Sequence, residues 1–84
     1  MPMEIQIRIQ GMVFNPATIT VTAGTTIKWT NKDSAPHTVT GDTGLFESGS
    51  LSEGSTFSFK FNTAGTFLYH CALHMGMKAC VVVK

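Results

Sequence analysis

Residues 69 to 77 read Tyr69-His70-Cys71-Ala72-Leu73-His74-Met75-Gly76-Met77. A thiol, an imidazole and a thioether fall between Cys71 and Met77, and each is a metal-ligating group. Thiolate and thioether select copper, imidazole accepts either oxidation state, and one Cys with two His and a weak axial Met is the donor set of blue-copper electron-transfer sites. The second histidine comes from a distant segment, as His37 in Asn31-Lys32-Asp33-Ser34-Ala35-Pro36-His37-Thr38-Val39. The expected ligands of one copper ion are therefore His37, Cys71, His74 and Met77. Three from one loop and one from a separate strand would have their geometry set by the fold, with little rearrangement on a change of oxidation state.

Each residue also has a plainer reading. A lone histidine such as His37 is ordinarily a satisfied histidine, and a Cys on an apolar face is ordinarily a small core hydrophobe. It is the Cys71, His74 and Met77 spacing that outweighs both. Met75 competes with Met77 for the axial position, but Met77 leads directly into the last strand and is preferred. His70 is expected to point outward into solvent. Cys71 and Cys80 could form one disulfide, which would consume the thiolate, but a free and partly exposed Cys80 is the expectation. Cys and His also bind zinc, although two His, one Cys and a Met make a poor tetrahedral zinc set.

Strands must position these groups. Ile5, Ile7 and Ile9 alternate with Gln6, Arg8 and Gln10, Ile19 and Val21 alternate with threonines, and Ile27 and Trp29 continue the period of two. Phe57, Phe59 and Phe61 share one face of residues 56–61. In residues 66–71 the same parity groups Phe67, Tyr69 and Cys71 inward and Leu68 and His70 outward. Parity also sends Ala79, Val81 and Val83 inward and Cys80 outward. Residues 42–55, with Gly44, Gly49 and Gly54, read as a loop with at most a short irregular strand. Seven to eight short strands with glycine-rich turns predict a small antiparallel β-sandwich, all-β, as a single domain over residues 1–84.

Composition narrows the function. The 84 residues are 43% hydrophobic and 13% charged, well under the roughly 25% charged of ordinary soluble domains, so a disordered chain is excluded. A formal charge of +1 without any basic run argues against nucleic acid. No apolar stretch approaches the ~20 residues of a membrane span. Met1-Pro2-Met3-Glu4 lacks the basic start and apolar segment of a secretory signal. Asp33, Asp42, Glu47 and Glu53 form no recognisable acid/base pair, and an enzyme is not expected.

The chain resembles cupredoxins of the plastocyanin and amicyanin group. The resemblance runs from Phe14-Asn15-Pro16-Ala17-Thr18-Ile19 through Trp29-Thr30-Asn31 and Pro36-His37-Thr38-Val39 to Tyr69-His70-Cys71 and Met77-Lys78-Ala79, and the Cys-x-x-His-x-x-Met spacing is amicyanin-like. It implies a type 1 copper site in an eight-stranded, cupredoxin-like Greek-key sandwich that shuttles single electrons. It also implies transient docking of redox proteins near His74, on an apolar rim of Met12, Leu73, Met75 and Gly76, and a periplasmic or otherwise extracytoplasmic monomer. Three departures from the family stand out. Leu73 replaces a frequent Pro and restores an N–H that could donate toward Cys71. Ala72 replaces a Ser or Thr, depriving Asn31, which resembles a family asparagine near the site, of a partner and predicting a less rigid loop. Cys80 stands where a non-thiol is usual. The competing function is copper trafficking or storage with the same ligands, supported by Met3, Met12 and Met75.

Overall fold

Alternating burial in a computed structural model, which describes residues 3–84, follows the period of two read from the sequence. In β1 (Glu4–Gln10), Ile7 and Ile9 are buried while Glu4, Gln6, Arg8 and Gln10 are exposed. After a turn at Gly11-Met12 come β2 (Val13–Asn15) and β3 (Thr18–Val21). The Thr22–Thr25 turn, with Gly24 at φ 97°, leads into β4 (Thr25–Asn31), which buries Thr25, Ile27, Trp29 and Asn31. The chain closes with β5 (Thr40–Gly41), β6 (Thr56–Phe61), β7 (Gly65–His70) and β8 (Lys78–Val83). The Met1-Pro2 start lies outside the described residues.

The eight strands form two four-stranded sheets, ordered β2-β1-β4-β6 and β3-β8-β7-β5. The sandwich is as expected, but its pairing is mixed rather than purely antiparallel. β1 and β4 run parallel with Ile7 opposite Trp29, and β3 and β8 run parallel with Thr18 opposite Cys80. The cause is the passage from β2 to β3, where the chain changes sheets. Two reversals, at residues 11–12 and 22–25, separate β1 from β4 and bring them side by side in the same direction. Alternation within a strand carries no information about that crossover.

Trp29 from one sheet and Tyr69 from the other meet at the centre. The indole Nε1 donates to the Tyr69 hydroxyl at 3.1 Å, and the rings pack edge-on with centroids 5.4 Å apart. Phe46 stacks on the indole at 5.9 Å, and Phe57 and Phe61 surround it at 5.7 and 6.4 Å. Burying such side chains at ~1.5–3 kcal/mol each holds a domain this small together.

Residues 42–55 are more ordered than a bare loop. They fold back along residues 37–41, with His37 N–H donating to Leu51 O at 3.1 Å, Leu51 N–H to His37 O at 2.7 Å and Ser48 N–H to Val39 O at 3.0 Å. The Ser48 hydroxyl accepts from Val39 N–H at 2.8 Å, and Gly49 turns the backbone at φ 71°. These interruptions leave isolated bridges instead of a strand. The segment nevertheless contributes Phe46 and Leu51 to the core, two core residues that its glycine-rich composition concealed.

Candidate metal centre

The Cys71-to-Met77 loop is the connection between β7 and β8, whose last paired residues are His70 and Lys78. Cys71 N–H donates to Met77 O at 3.0 Å and closes the neck. Gly76, at φ 83°, returns the chain to that neck. The spacing thus has a geometric meaning, with Cys71 and Met77 at the neck and His74 across the loop. Cys71 and Met77 are buried and His74 is half-buried. Met75 is fully exposed at 102% while Met77 is only 6% exposed.

His37 reaches the same point from a separate segment, its backbone bridged to Leu51 and its side chain 0% exposed. Cys71 Sγ lies 3.7 Å from His37 Nδ1 and 3.5 Å from His74 Nδ1, and the three donor atoms lie within 4.8 Å of one another. For imidazole and thiolate bonds of about 2.0–2.3 Å at angles of about 110–120°, the edge of a coordination polyhedron is roughly 3.5–3.8 Å. The two sulfur-to-nitrogen separations match that edge. Both rings turn Nδ1 toward the sulfur, so the three donors converge on one place.

A carboxylate fixes the His37 ring. Asp33 Oδ2 lies 2.9 Å from His37 Nε2, which holds the ring with Nδ1 toward Cys71. Asp33 Oδ1 accepts Gly11 N–H at 2.8 Å and Oδ2 accepts Met12 N–H at 3.0 Å. Those two N–H groups hold the Asp33 carboxyl below its ordinary range, against a smaller opposing effect of burial, with His37 adding to the lowering. Sequence reasoning passed over Asp33 because it sought acid/base pairs among carboxylates. The i,i+4 spacing to His37 was the available signal.

Burial pushes the Cys71 thiol up, but hydrogen bonds from Thr38 N–H, His74, His37 and Leu73 N–H together outweigh it and hold the thiol at about 6. The Thr38 N–H to Sγ distance is 3.3 Å. The thiolate is the metal-binding form, so the protein part of the site is already biased toward ligation. The Leu73 N–H contributes in the direction expected from the absence of proline.

Other expectations change. Asn31 does not address the ligand loop: its Nδ2 donates to Ala35 O at 2.9 Å and Leu51 O at 2.8 Å, and its Oδ1 accepts Asp33 N–H at 2.8 Å. It orders the turn that carries Asp33. The loop is not left loose by Ala72, because Ala72 N–H donates to Thr38 Oγ1 at 2.7 Å. His70 points outward, yet its Nδ1 lies 2.6 Å from Asp42 Oδ1 and is not merely solvated. Cys71 and Cys80 are both free thiols, and Cys80 contacts Thr18 Oγ1 at 3.8 Å on the outer face.

Residues 1–84 match the family of copper binding proteins described as the plastocyanin/azurin family. The chain is 35% identical over 86 residues to a plastocyanin of Scenedesmus fuscus, covering 87% of this chain and 88% of that one. It is 34% identical over 84 residues to amicyanin-alpha of Methylorubrum extorquens, covering 94% of this chain and 71% of that one. The solved Cu(I) form of an amicyanin variant superposes with a TM-score of 0.90 at 30% identity, over 95% of this chain and 81% of that one.

Proposed function

The chain belongs to the copper-binding plastocyanin/azurin family, and from that premise we propose that His37, Cys71, His74 and Met77 hold one type 1 copper ion. The protein is a blue-copper electron carrier of the cupredoxin fold. The observation that carries the ligand assignment is the convergence of Cys71 Sγ with His37 Nδ1 and His74 Nδ1 at 3.7 and 3.5 Å. When bound, copper supplies one-electron cycling between Cu(II) and Cu(I). The protein's part is to keep the donors in place: Asp33 aims His37, the Thr38 N–H restrains the sulfur, and the Met77 carbonyl closes the loop on Cys71.

Four protein ligands would leave no coordination position for a substrate, which favours a carrier over a catalyst. Burial of His37, Cys71 and Met77 also favours a retained ion over the trafficking reading, since handing copper to an acceptor requires accessible ligands. His74, half-buried, is the electron's proposed exit. Leu73 and Met75 lie exposed on the same loop, with Met12 exposed on the turn held by Asp33, and a small apolar surface of this kind suits transient contact with larger redox proteins. No helix among the described residues is long and apolar enough to cross a membrane. The family resemblance supports an extracytoplasmic monomer, and the shared core supports one domain over residues 1–84.

The test is Cu(II) titration of reduced, metal-free protein followed by visible absorption and electron paramagnetic resonance. An intense blue band with narrow copper hyperfine splitting at one equivalent is expected, and it should be absent in Cys71→Ser and intact in Cys80→Ser. An unchanged spectrum in Cys71→Ser would overturn the ligand assignment.

A further inference from the structure

Arg8, Lys28 and Lys60 stand on three adjacent strands, β1, β4 and β6, at positions that alternation turns to the outer face of their sheet. Register puts them in one line. Arg8 is opposite Thr30, two residues beyond Lys28, and Lys28 is opposite Ser58, two residues before Lys60. Each step crosses one strand and two residues in the same sense. With strands about 4.8 Å apart and a rise of about 3.3 Å per residue, the three Cα atoms follow a diagonal at roughly 8 Å spacing. No carboxylate answers them: the ion pairs among the described residues are His37 with Asp33 and His70 with Asp42. Glu4, the acid on this face, is separated from Lys60 by Thr26 and accepts from Gln6 Nε2 at 2.9 Å. Like charges at this spacing lie within about one Debye length at physiological salt, repel one another and gain from an anionic counterpart.

We propose that this cationic diagonal is a docking surface for an extended acidic protein segment with a carboxylate at every second residue. Side chains on one face of an extended chain recur at about 6.6 Å, close to the spacing of the cations, and the long Lys and Arg stems take up the difference. A segment laid along the diagonal thus meets Arg8, Lys28 and Lys60 in turn with alternate side chains, while the intervening ones face solvent. Only short polar side chains, Thr30 and Ser58 among them, stand beside the line, so the backbone of the segment can approach. An anionic lipid surface fits less well: three cations fall short of the roughly four to eight that hold a protein to one, and the line has no apolar side chain to insert. The ligand loop joins β7 to β8 in the other sheet, so an occupied diagonal leaves His74 free. Charge complementarity at such a place raises the encounter rate and fixes orientation. Its use in electron transfer rests on the electron-carrier reading, whereas the surface itself belongs to the protein and is measurable without metal.

The copper-free and Cu(I) proteins are titrated at low salt with two end-blocked peptides of equal charge, Glu-Thr-Glu-Thr-Glu and Glu-Glu-Glu-Thr-Thr, and followed by nuclear magnetic resonance of the backbone amides. The alternating peptide should bind at least about threefold more tightly, because only it presents three carboxylates to one face, and should shift amides of β1, β4 and β6 around Arg8, Lys28 and Lys60. Arg8→Gln, Lys28→Gln and Lys60→Gln should each weaken it roughly two- to fivefold, as for loss of one exposed ion pair. Lys84→Gln removes the same charge elsewhere and should leave it at the parent value. Raising salt from about 0.01 M to about 0.15 M should weaken binding several-fold through screening. Equal affinity for the two peptides overturns the proposal without any variant, as does parent-like binding by Lys28→Gln or an equal loss in Lys84→Gln. Vesicles of equal parts phosphatidylcholine and phosphatidylglycerol are the second probe. Sedimentation with them that is lost in Lys28→Gln, while the peptides stay indistinguishable, assigns the surface to lipid and overturns the proposal too. A parent that forms no blue centre refutes the proposed function, while the titration of the copper-free chain still decides the docking surface.

Discussion

The Asp33 carboxylate stands 2.9 Å from His37 Nε2 and simultaneously takes the N–H groups of Gly11 and Met12. It therefore ties the imidazole of a proposed ligand to the turn between β1 and β2. Met12 is the non-glycine residue with positive φ, at 63°, among those described, and the carboxylate's grip on its N–H offsets the cost of that conformation.

Asp33→Asn should weaken this arrangement, because an amide supplies one acceptor oxygen where the carboxylate uses two. Either the Gly11 contact or the Met12 and His37 contacts must be lost. Copper affinity should fall by roughly tenfold to a hundredfold, the usual effect of removing a partner behind a ligand. Competition with a chelator would measure it, and parent-like affinity would show that His37 does not depend on Asp33 for its orientation.

Met77→Gln should retain the blue colour and lower the reduction potential, since an amide oxygen is a harder donor than a thioether and favours Cu(II). Met75→Gln should leave both unchanged, as Met75 is solvent-exposed. Voltammetry of the two variants distinguishes the thioethers, and the reverse pattern would make Met75 the axial ligand.

The Cys71 thiol, held at about 6 in the folded chain against an ordinary 9.0, makes the stability of the copper-free protein depend on pH. Between these values the unfolded chain binds more protons, so stability rises with pH from about 6 to about 9 and is lost as pH falls through the folded value. Denaturant unfolding of metal-free Cys80→Ser across this window should show the rise, and the further change Cys71→Ser should remove it.

Phe46→Ala should destabilise the fold by about 3–5 kcal/mol, the usual result of truncating a buried aromatic, because Phe46 stacks on Trp29 and packs against Phe59 and Phe61. A loss under about 1 kcal/mol in urea unfolding would mean that the 42–55 segment is only loosely joined to the core.

The strands and the loop's candidate ligands were legible because they depend on local rules. Alternation of Phe67, Tyr69 and Cys71 turns side chains inward whatever lies opposite, and Cys71, His74 and Met77 belong to one short loop whose spacing is itself geometry. His37, on a separate segment, was read as the imidazole that the loop lacked. What only the tertiary structure decided involves partners distant in the chain. The parallel pairing of β1 with β4 follows from a change of sheet that strand periodicity does not encode. Phe46 and Leu51 are core residues because their irregular segment folds along residues 37–41. Asp33 reaches His37 and the Gly11-Met12 turn together only when β1 and β4 lie side by side. Thr38, rather than Asn31, meets Ala72 because β5 pairs with β7. A hydrogen bond depends on a few ångströms of separation and on direction, and for residues 21 to 34 positions apart those are set by sheet register and crossover, not by residue type.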